Sequence, residues 1–370
     1  MSIRILQVGT GIRGGHWVDI VESHPDVQCV GYVDRDERAL ASVRARVPGN
    51  DRGFFTDLDA ALAATRADAA LIVTPSALHA DHTCRALRAG LAVMVEKPLA
   101  TSVEEAERVL EASRAAGRPV VVAENYRYWP AERTVRALIQ AGRIGRVDSA
   151  TLIDRRHMPS HTEGPWLASI EYPHLQEIAV HHFDSLRAIL GRAPSSITAR
   201  AWNAPWSDYR HGAATEAFID LAGIHVQYLG TLTSHRFAFS LWIEGEHGVL
   251  WTNRKYVAWR RSGSRFFRPV RRLAVPRGDE MPYPRGGTTS LLNALHEATT
   301  KGVTAETHAG DNIWNVAMIE AAKRSDRERR TVSIEEVWPA SSAARTQHGA
   351  GAGSGQGAPV HASSHESPRE

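Results

Sequence analysis

Three stretches of the sequence place chemically capable residues at spacings that let them act together. The first is Gly9-Thr10-Gly11-Ile12-Arg13-Gly14, a GxGxxG between an apolar run and a helical pattern. Glycines at those places allow a tight turn, close approach of the backbone to a pyrophosphate, and close packing of helix on strand, while the helix start supplies amide donors and a positive dipole. Asp34 follows Gly14 by twenty residues, at the end of the next apolar run, where a carboxylate would accept both hydroxyls of an adenosine ribose. That acid repels a 2′-phosphate, so NAD is favoured as cofactor. Arg35 and Arg38 keep NADP open, because an arginine there can stack on adenine or pair with that phosphate.

The second stretch is Glu96-Lys97-Pro98, just past a buried strand pattern, where ligands of open α/β sheets bind. The reading is that Pro98 fixes the turn, Glu96 orients the ammonium, and desolvation near positive charge lowers the lysine pKa from about 10.4. A surface lysine in a turn is the competing reading. The third is the helical pattern from His174 to Leu190, where Leu175, Ile178, Ala179, His182, Phe183, Leu186 and Leu190 share one side. Glu177, His181 and Asp184 fall together on the other, since spacings of four and three residues make one stripe. Either that stripe faces water and His182 is a core histidine, or His181 is a base that titrates near neutrality.

Positioning such groups requires a doubly wound sheet followed by a different second half. Up to about residue 124, short β-branched runs (Ile3 to Val8, Val27 to Val33, Ala69 to Thr74, Leu91 to Val95, Pro119 to Ala123) alternate with amphipathic segments, which reads as parallel strands with crossover helices. Ser102 and Glu105 stand in capping-box spacing at the start of one helix, and Gly117 ends it. After Asn125 come helices at Pro130 to Ala141 and His174 to Leu190, a strand from Val147, and alternating strands at Thr215 to Ala222, His225 to Thr233 and Phe237 to Ile243. Turns at Ala222-Gly223 and Gly245-Glu246 make these hairpins of a mostly antiparallel sheet, and a helical pair, Ser290 to Thr300 and Asp311 to Ser325, follows. The class is therefore α/β: a Rossmann domain over 1–124, an α+β substrate domain over 125–338, and a tail over 339–370. From Ser341 onward Val360 is the sole residue among the large apolar types, too little to offset the ordering entropy, so this tail reads as disordered.

Composition narrows the classes further. The chain has 370 residues, 43% hydrophobic and 23% charged, ample for two cored domains. Cys29 and Cys84 have no zinc-ligand spacing, so no metal is expected and a reducing, cytoplasmic setting is. No apolar run is long enough to span a membrane. Net charge is only +3, yet eight arginines, one lysine and no acid lie between Arg254 and Arg277, interleaved with Tyr256, Trp259, Phe266 and Phe267. Such a stretch can bind single-stranded nucleic acid. The near-balanced charge favours a solvated hairpin face or a subunit contact instead.

Together Val8-Gly9 to Gly14, Thr74-Pro75 with His79, Ala89-Gly90 leading to Glu96-Lys97-Pro98, Asn125-Tyr126-Arg127, Arg143-Ile144-Gly145 and His181-His182-Phe183-Asp184 resemble the glucose-fructose oxidoreductase, inositol dehydrogenase and MocA family. The resemblance runs in order from about residue 3 to about 335, including Glu244 to Gly248 and Asp311-Asn312. It implies that Lys97 and His181 flank the nicotinamide and the substrate carbinol, and that Thr74, Pro75, His79, Glu96 and Asn125 join Gly9, Gly11, Ile12, Arg13, Gly14, Asp34 and Arg35 around the cofactor. It also implies a homo-oligomer, dimer or tetramer, formed through the large sheet. Where the family has an aspartate one helical turn before the histidine, this chain has Glu177, a carboxylate that would orient His181.

By motif position the substrate is expected near Arg127, Arg155, His157, Trp166, Tyr172, His174 and His181, groups suited to a polyhydroxylated or carboxylated ring. The resulting expectation is oxidation of a secondary hydroxyl of a sugar, glycoside, inositol or related polyol. Two alternatives stand beside it: glycoside cleavage through transient oxidation by tightly bound NAD, and a catalytically silent dinucleotide- and sugar-binding regulator.

Overall fold

The computed structural model describes residues 2–47, 49, 51–160, 165–279 and 284–339, with the backbone alone described for Pro165 and Trp166. Residues 340–370 of the expected tail lie outside the described residues. Six parallel strands form the first sheet: β1 (Ile3–Val8), β2 (Val27–Val33), β3 (Gly53–Phe55), β4 (Ala69–Ile72), β5 (Ala92–Val95) and β6 (Val120–Val122), in the order β3-β2-β1-β4-β5-β6. Helices α1 (Ile12–Glu22), α2 (Glu37–Arg46), α3 (Leu58–Ala64), α4 (His79–Arg88) and α5 (Val103–Ala116) are the crossovers. Every residue of β4 and β5 is buried, as strands covered on both faces must be. The order reverses between β1 and β4, which opens a crevice at their carboxyl ends.

Local signals explain the boundaries. The Ser102 side chain accepts from the Glu105 amide at the start of α5, and Gly117 closes it at φ 61°. The Glu105 carboxylate does not complete a capping box but takes the Thr101 amide and hydroxyl at 3.0 and 2.6 Å. Strand β3, three half-buried residues long, carries too little periodicity to be legible in the sequence.

The second half contains α6 (Pro130–Gln140), a π turn (Leu175–Ala179) running into α7 (Val180–Leu190), and a nine-stranded sheet. Its strands are β7 (Val147–His157), β8 (Ser196–Trp202), β9 (Ala214–Leu221), β10 (Ile224–Thr231), β11 (Thr233–Gly245), β12 (Gly248–Thr252), β13 (Val257–Arg261), β14 (Arg268–Val270) and β15 (Val332–Ser333). Their order is β14-β13-β12-β11-β7-β10-β9-β8-β15, antiparallel except for the β7–β10 pair. The β9–β10 turn has both Ala222 and Gly223 at positive φ, the twist a tight hairpin needs.

Two helices tie the halves together. Helix α8 (Thr288–Lys301) returns to the first sheet, where Leu291, Leu292 and Leu295 join the cluster of Ile5, Trp17 and Met94. Helix α9 (Ala309–Glu328) shares a second cluster that runs from Val95 and Leu99 through Val180 and Phe183 to Tyr228 and Leu241. Helix α7 is buried at every position except Ala188, so His181 and Asp184 do not face water, while Glu177, in the π turn before it, is half-buried.

That burial places charge inside the protein. Arg127, in the turn Asn125–Tyr128, donates to both oxygens of Asp184 at 2.6 Å and also to Asp311, while Arg187 donates to Asp311 at 2.9 Å. Arg127 is thus a joint between α7, α9 and the end of the first sheet rather than a substrate contact. Replacing it with methionine strands Asp184, and urea unfolding should report a loss of about 3–5 kcal/mol. A loss below about 1 kcal/mol would show that the network does not hold the halves together.

Candidate active site

The phosphate loop is shaped by what its glycines exclude. Gly9 has φ 99°, and a Cβ there would lie 2.3 Å from the Val73 carbonyl oxygen. A Cβ on Gly14 would lie 2.3 Å from the Gly9 carbonyl oxygen, so both positions are closed by packing. At Gly11 nothing stands within 4 Å of that point, which leaves the backbone open to a ligand at the N-terminus of α1. No side chain caps that helix and no acid occupies its first turn. Its amides are therefore presented to an anion. Asp34 Oδ2 accepts from the Thr10 amide at 2.7 Å and from its hydroxyl at 2.9 Å, and Oδ1 from the Asp36 amide at 3.0 Å, which aims the carboxylate while leaving lone pairs for a ribose. Arg35 is exposed beside it, and Ile12 is 77% exposed at the mouth of the loop. These residues fit a dinucleotide.

Neighbouring loops are locked to one another. His79 bonds the Pro98 carbonyl at 2.7 Å and the Thr74 carbonyl at 2.8 Å, tying the Thr74-Pro75 turn to the one carrying Lys97. Asn125 donates to the Gly286 carbonyl at 2.7 Å. Arg13 is tied inward: its Nε donates to Glu96 Oε1 at 2.5 Å, and the Trp17 indole donates to the same oxygen at 2.7 Å. Burial opposes ionisation of Glu96, but Arg13 and Trp17 hold its pKa below the usual value.

Glu96 therefore does not orient the Lys97 ammonium. Lys97 Nζ donates to Glu177 Oε2 at 2.6 Å and to the Glu177 carbonyl at 3.2 Å. Burial alone would lower the lysine pKa, as the sequence suggested, but the Glu177 carboxylate outweighs it and raises the pKa. Lys97 is thus a fixed ammonium, a donor rather than a base.

The carboxylate on His181 is Glu124. Its Oε2 lies 2.7 Å from His181 Nδ1, and Asn315, on α9, donates to its Oε1 at 3.2 Å and to the Val180 carbonyl at 2.9 Å. Tyr126 stacks on the imidazole with centroids 4.3 Å apart and planes 13° apart. Burial, then the cations Lys97 and Arg156, push the His181 pKa well below its ordinary value. His181 as a residue is 8% exposed. With Nδ1 engaged, Nε2 is the nitrogen left for a substrate.

The structure divides the expected substrate residues. Arg127 is spent in its ion network. On β7, Ala150, Leu152 and Asp154 are buried against the helices, so Arg155 and His157 stand on the opposite face, away from His181. Arg156 occupies the inner face instead and donates to Asp154 at 2.6 Å and to the Tyr126 hydroxyl at 3.1 Å. The Tyr172 hydroxyl donates to Asp326 at 3.0 Å, a packing role. His174 is fully buried, 3.4 Å from the Tyr228 hydroxyl that also bonds His182, and burial lowers its pKa to about 3. The Trp166 side chain lies outside what is described.

Sequence reasoning missed Glu124, Arg156, Tyr126, Asn315 and Arg254. The signal for Glu124 was available, since it follows β6 as Lys97 follows β5, at a strand's carboxyl end. Arg254, first in the basic stretch, is a half-buried anchor. It donates to Glu132 at 2.7 Å and lies 3.6 Å from the Phe239 ring centroid, 4.5 Å from that of Tyr126 and 4.6 Å from that of Trp129. Further along, Arg260 lies over Phe267 and Arg268 over Trp259, so part of that stretch is a hairpin stiffened by cation–π contacts.

Two family models cover most of this architecture. One, described as an oxidoreductase family with an NAD-binding Rossmann fold, matches residues 3–124, and the GFO/IDH/MocA C-terminal domain matches residues 133–251. The chain belongs to the GFO/IDH/MocA family.

Among its GFO/IDH/MocA relatives, the uncharacterized protein y4oX of Sinorhizobium fredii is 28% identical over 91% of this chain and 97% of its own length. Inositol 2-dehydrogenase 3 of Saccharopolyspora erythraea is 32% identical over 51% of this chain, and the match spans 54% of that enzyme. An oxidoreductase from Agrobacterium radiobacter, solved with NAD+, L-tartaric acid and magnesium, superposes with a TM-score of 0.80 at 20% identity, over 91% of this chain and 99% of that one. The WlbA dehydrogenase from Bordetella pertussis, solved with NADH and UDP-GlcNAcA, superposes at 0.77 and 21% identity, over 90% and 99%. Members of the family carry an NAD(P)-binding Rossmann domain, and this chain is an oxidoreductase of that kind. Among the described residues no helix is long and apolar enough to cross a membrane, and no group of His, Cys, Asp or Glu is arranged to hold a metal ion.

The open side of Gly11 yields a separable prediction. Gly11→Ala fills the cradle without a clash, so thermal melting should stay within about 2 °C while the NAD dissociation constant rises about tenfold or more. Unchanged NAD affinity would place the pyrophosphate elsewhere.

Proposed function

We propose that this chain oxidises a secondary hydroxyl of a sugar, glycoside, inositol or related polyol with NAD(P). One observation carries the reading: the ends of β5 and β6 and the helix α7 bring a fixed ammonium, Lys97, and a neutral buried imidazole, His181, to one place beside a dinucleotide cradle. The bound nicotinamide would supply the hydride acceptor. A hydroxyl gives up hydride only as its proton leaves, which sets the work of the two side chains. His181 Nε2 takes the proton, and the Lys97 ammonium holds the oxygen and stabilises its developing charge. Glu177 keeps Lys97 charged and aimed. Tyr126 fixes the plane of the imidazole. In the direction of reduction, the same groups return a proton to the new alkoxide.

The surroundings support a hydroxyl-rich substrate. Arg156 and Tyr126 present donors near His181. The relatives named inositol 2-dehydrogenase act, by name, on such a polyol.

Inositols, free sugars and glycosides should be screened for NADH formation by the purified protein. Against an active member of that panel, Lys97→Met and His181→Ala should each lower kcat about a thousandfold while NAD affinity stays within about threefold. Retained turnover in either variant would remove that residue from the chemistry. NADH that accumulates in proportion to substrate consumed marks net oxidation.

A further inference from the structure

Glu124 has no counterpart in the roles already given to Lys97, Glu177 and His181, and it is wholly buried. Its two oxygens are separately engaged: Oε1 by the Asn315 amide at 3.2 Å, and Oε2 by His181 Nδ1 at 2.7 Å. Asn315 is pinned in turn by its bond to the Val180 carbonyl, one residue before His181. A carboxylate held at both oxygens beside an imidazole ring nitrogen can do more than orient it.

We infer that Glu124 is the final acceptor of the substrate proton, with His181 as the conduit and Asn315 as the clamp. This rests on the proposed oxidation and deepens it. The substrate O–H bond breaks as the His181 Nε2–H bond forms, and the Nδ1–H bond breaks as a bond from hydrogen to Glu124 Oε2 forms. The carbinol C–H electron pair leaves as hydride to oxidised NAD(P), so atoms and electrons balance. The pair passes from one negative charge to none and never holds an imidazolium. On product release the carboxylic acid returns its proton to Nδ1, and Nε2 gives its own to solvent water.

The electrostatics favour this route over a charged imidazole. Burial disfavours imidazolium at His181, and Lys97, Arg156, Arg13 and Arg254 all oppose it. Burial and then Asp184 raise the Glu124 pKa well above the usual glutamate value, aided by Glu96 and countered by Lys97 and Arg127. A proton arriving at this pair is therefore more stable on the carboxylate than on the ring. The sign of the pH dependence follows. The base-competent form has Glu124 ionised, so it prevails above the raised pKa and is lost as pH falls through it.

Infrared titration of the purified full chain, from pH about 4 to about 9, tests the proton's location without a substrate. A carboxylic-acid carbonyl band should disappear with a midpoint above the ordinary glutamate range, and Glu124→Gln should lack that band. Absence of a Glu124-dependent band, or a midpoint in the ordinary range, would overturn the inference. The second arm uses the panel substrate, with myo-inositol as first probe. In Glu124→Gln, Asn315 holds the amide oxygen and turns the amide donor toward Nδ1, fixing the tautomer that cannot act as base. There kcat should fall about a hundredfold or more, NAD affinity should stay within about threefold, and the acid limb of the rate profile should move to lower pH. Glu124→Asp should restore part of the rate and return the limb toward its original position. A merely structural Glu124 would lower kcat with the limb unmoved, contradicting the inference. Failure of the unaltered chain to oxidise any member of the panel would refute the proposed oxidation, while the infrared result would still decide where the proton resides.

Discussion

A charge can be taken into the interior of a fold only when an opposite charge or a shared proton goes with it, and that constraint organises this molecule. Arg127 is held by Asp184 and Asp311, Lys97 by Glu177, Arg13 by Glu96, Arg156 by Asp154 and Arg254 by Glu132. Each of these pairs joins segments distant in sequence except Arg156 with Asp154. Glu124 and His181 meet the same constraint by hydrogen bonding rather than as a full ion pair. Lys97 with Glu177 and His181 with Glu124 join the two halves, while the other pairs fix side chains within one of them.

The same constraint accounts for the division of labour proposed for the site. An ammonium with a dedicated carboxylate remains charged and serves as a rigid donor. An imidazole surrounded by cations remains neutral and is ready to accept a proton. Had Glu177 served His181, as its helical spacing suggested, Lys97 would be buried without its nearest counter-charge. Glu177 lies within the π turn at Leu175–Ala179, whose wider winding departs from the stacking of residues four apart that regular helical spacing assumes.

What the sequence revealed was whatever is defined locally. The glycine loop with Asp34, the lysine after a strand, the cap at Ser102 and the hairpin at Ala222-Gly223 each follow from the conformational needs of a few adjacent residues. Parallel and antiparallel halves were legible for the same reason, since burial on one or two faces writes its own periodicity. Pairings across the fold were not legible. Arg155 and Arg156 differ by one place, and the polar end of β7 contains nothing that reveals which of them faces inward. Asn315 sits on a long helix with no local motif to mark it. Arg127 looked like a substrate ligand because its two acidic partners lie 57 and 184 residues away.

The claim on which the rest depends is that the dinucleotide brings its reactive ring to Lys97 and His181. A crystal structure of the full chain with NADH bound measures this most directly. The account predicts the adenosine ribose on Asp34, the pyrophosphate against the backbone at Gly11, and the nicotinamide within reach of both Lys97 Nζ and His181 Nε2. A nicotinamide directed away from that pair would contradict it.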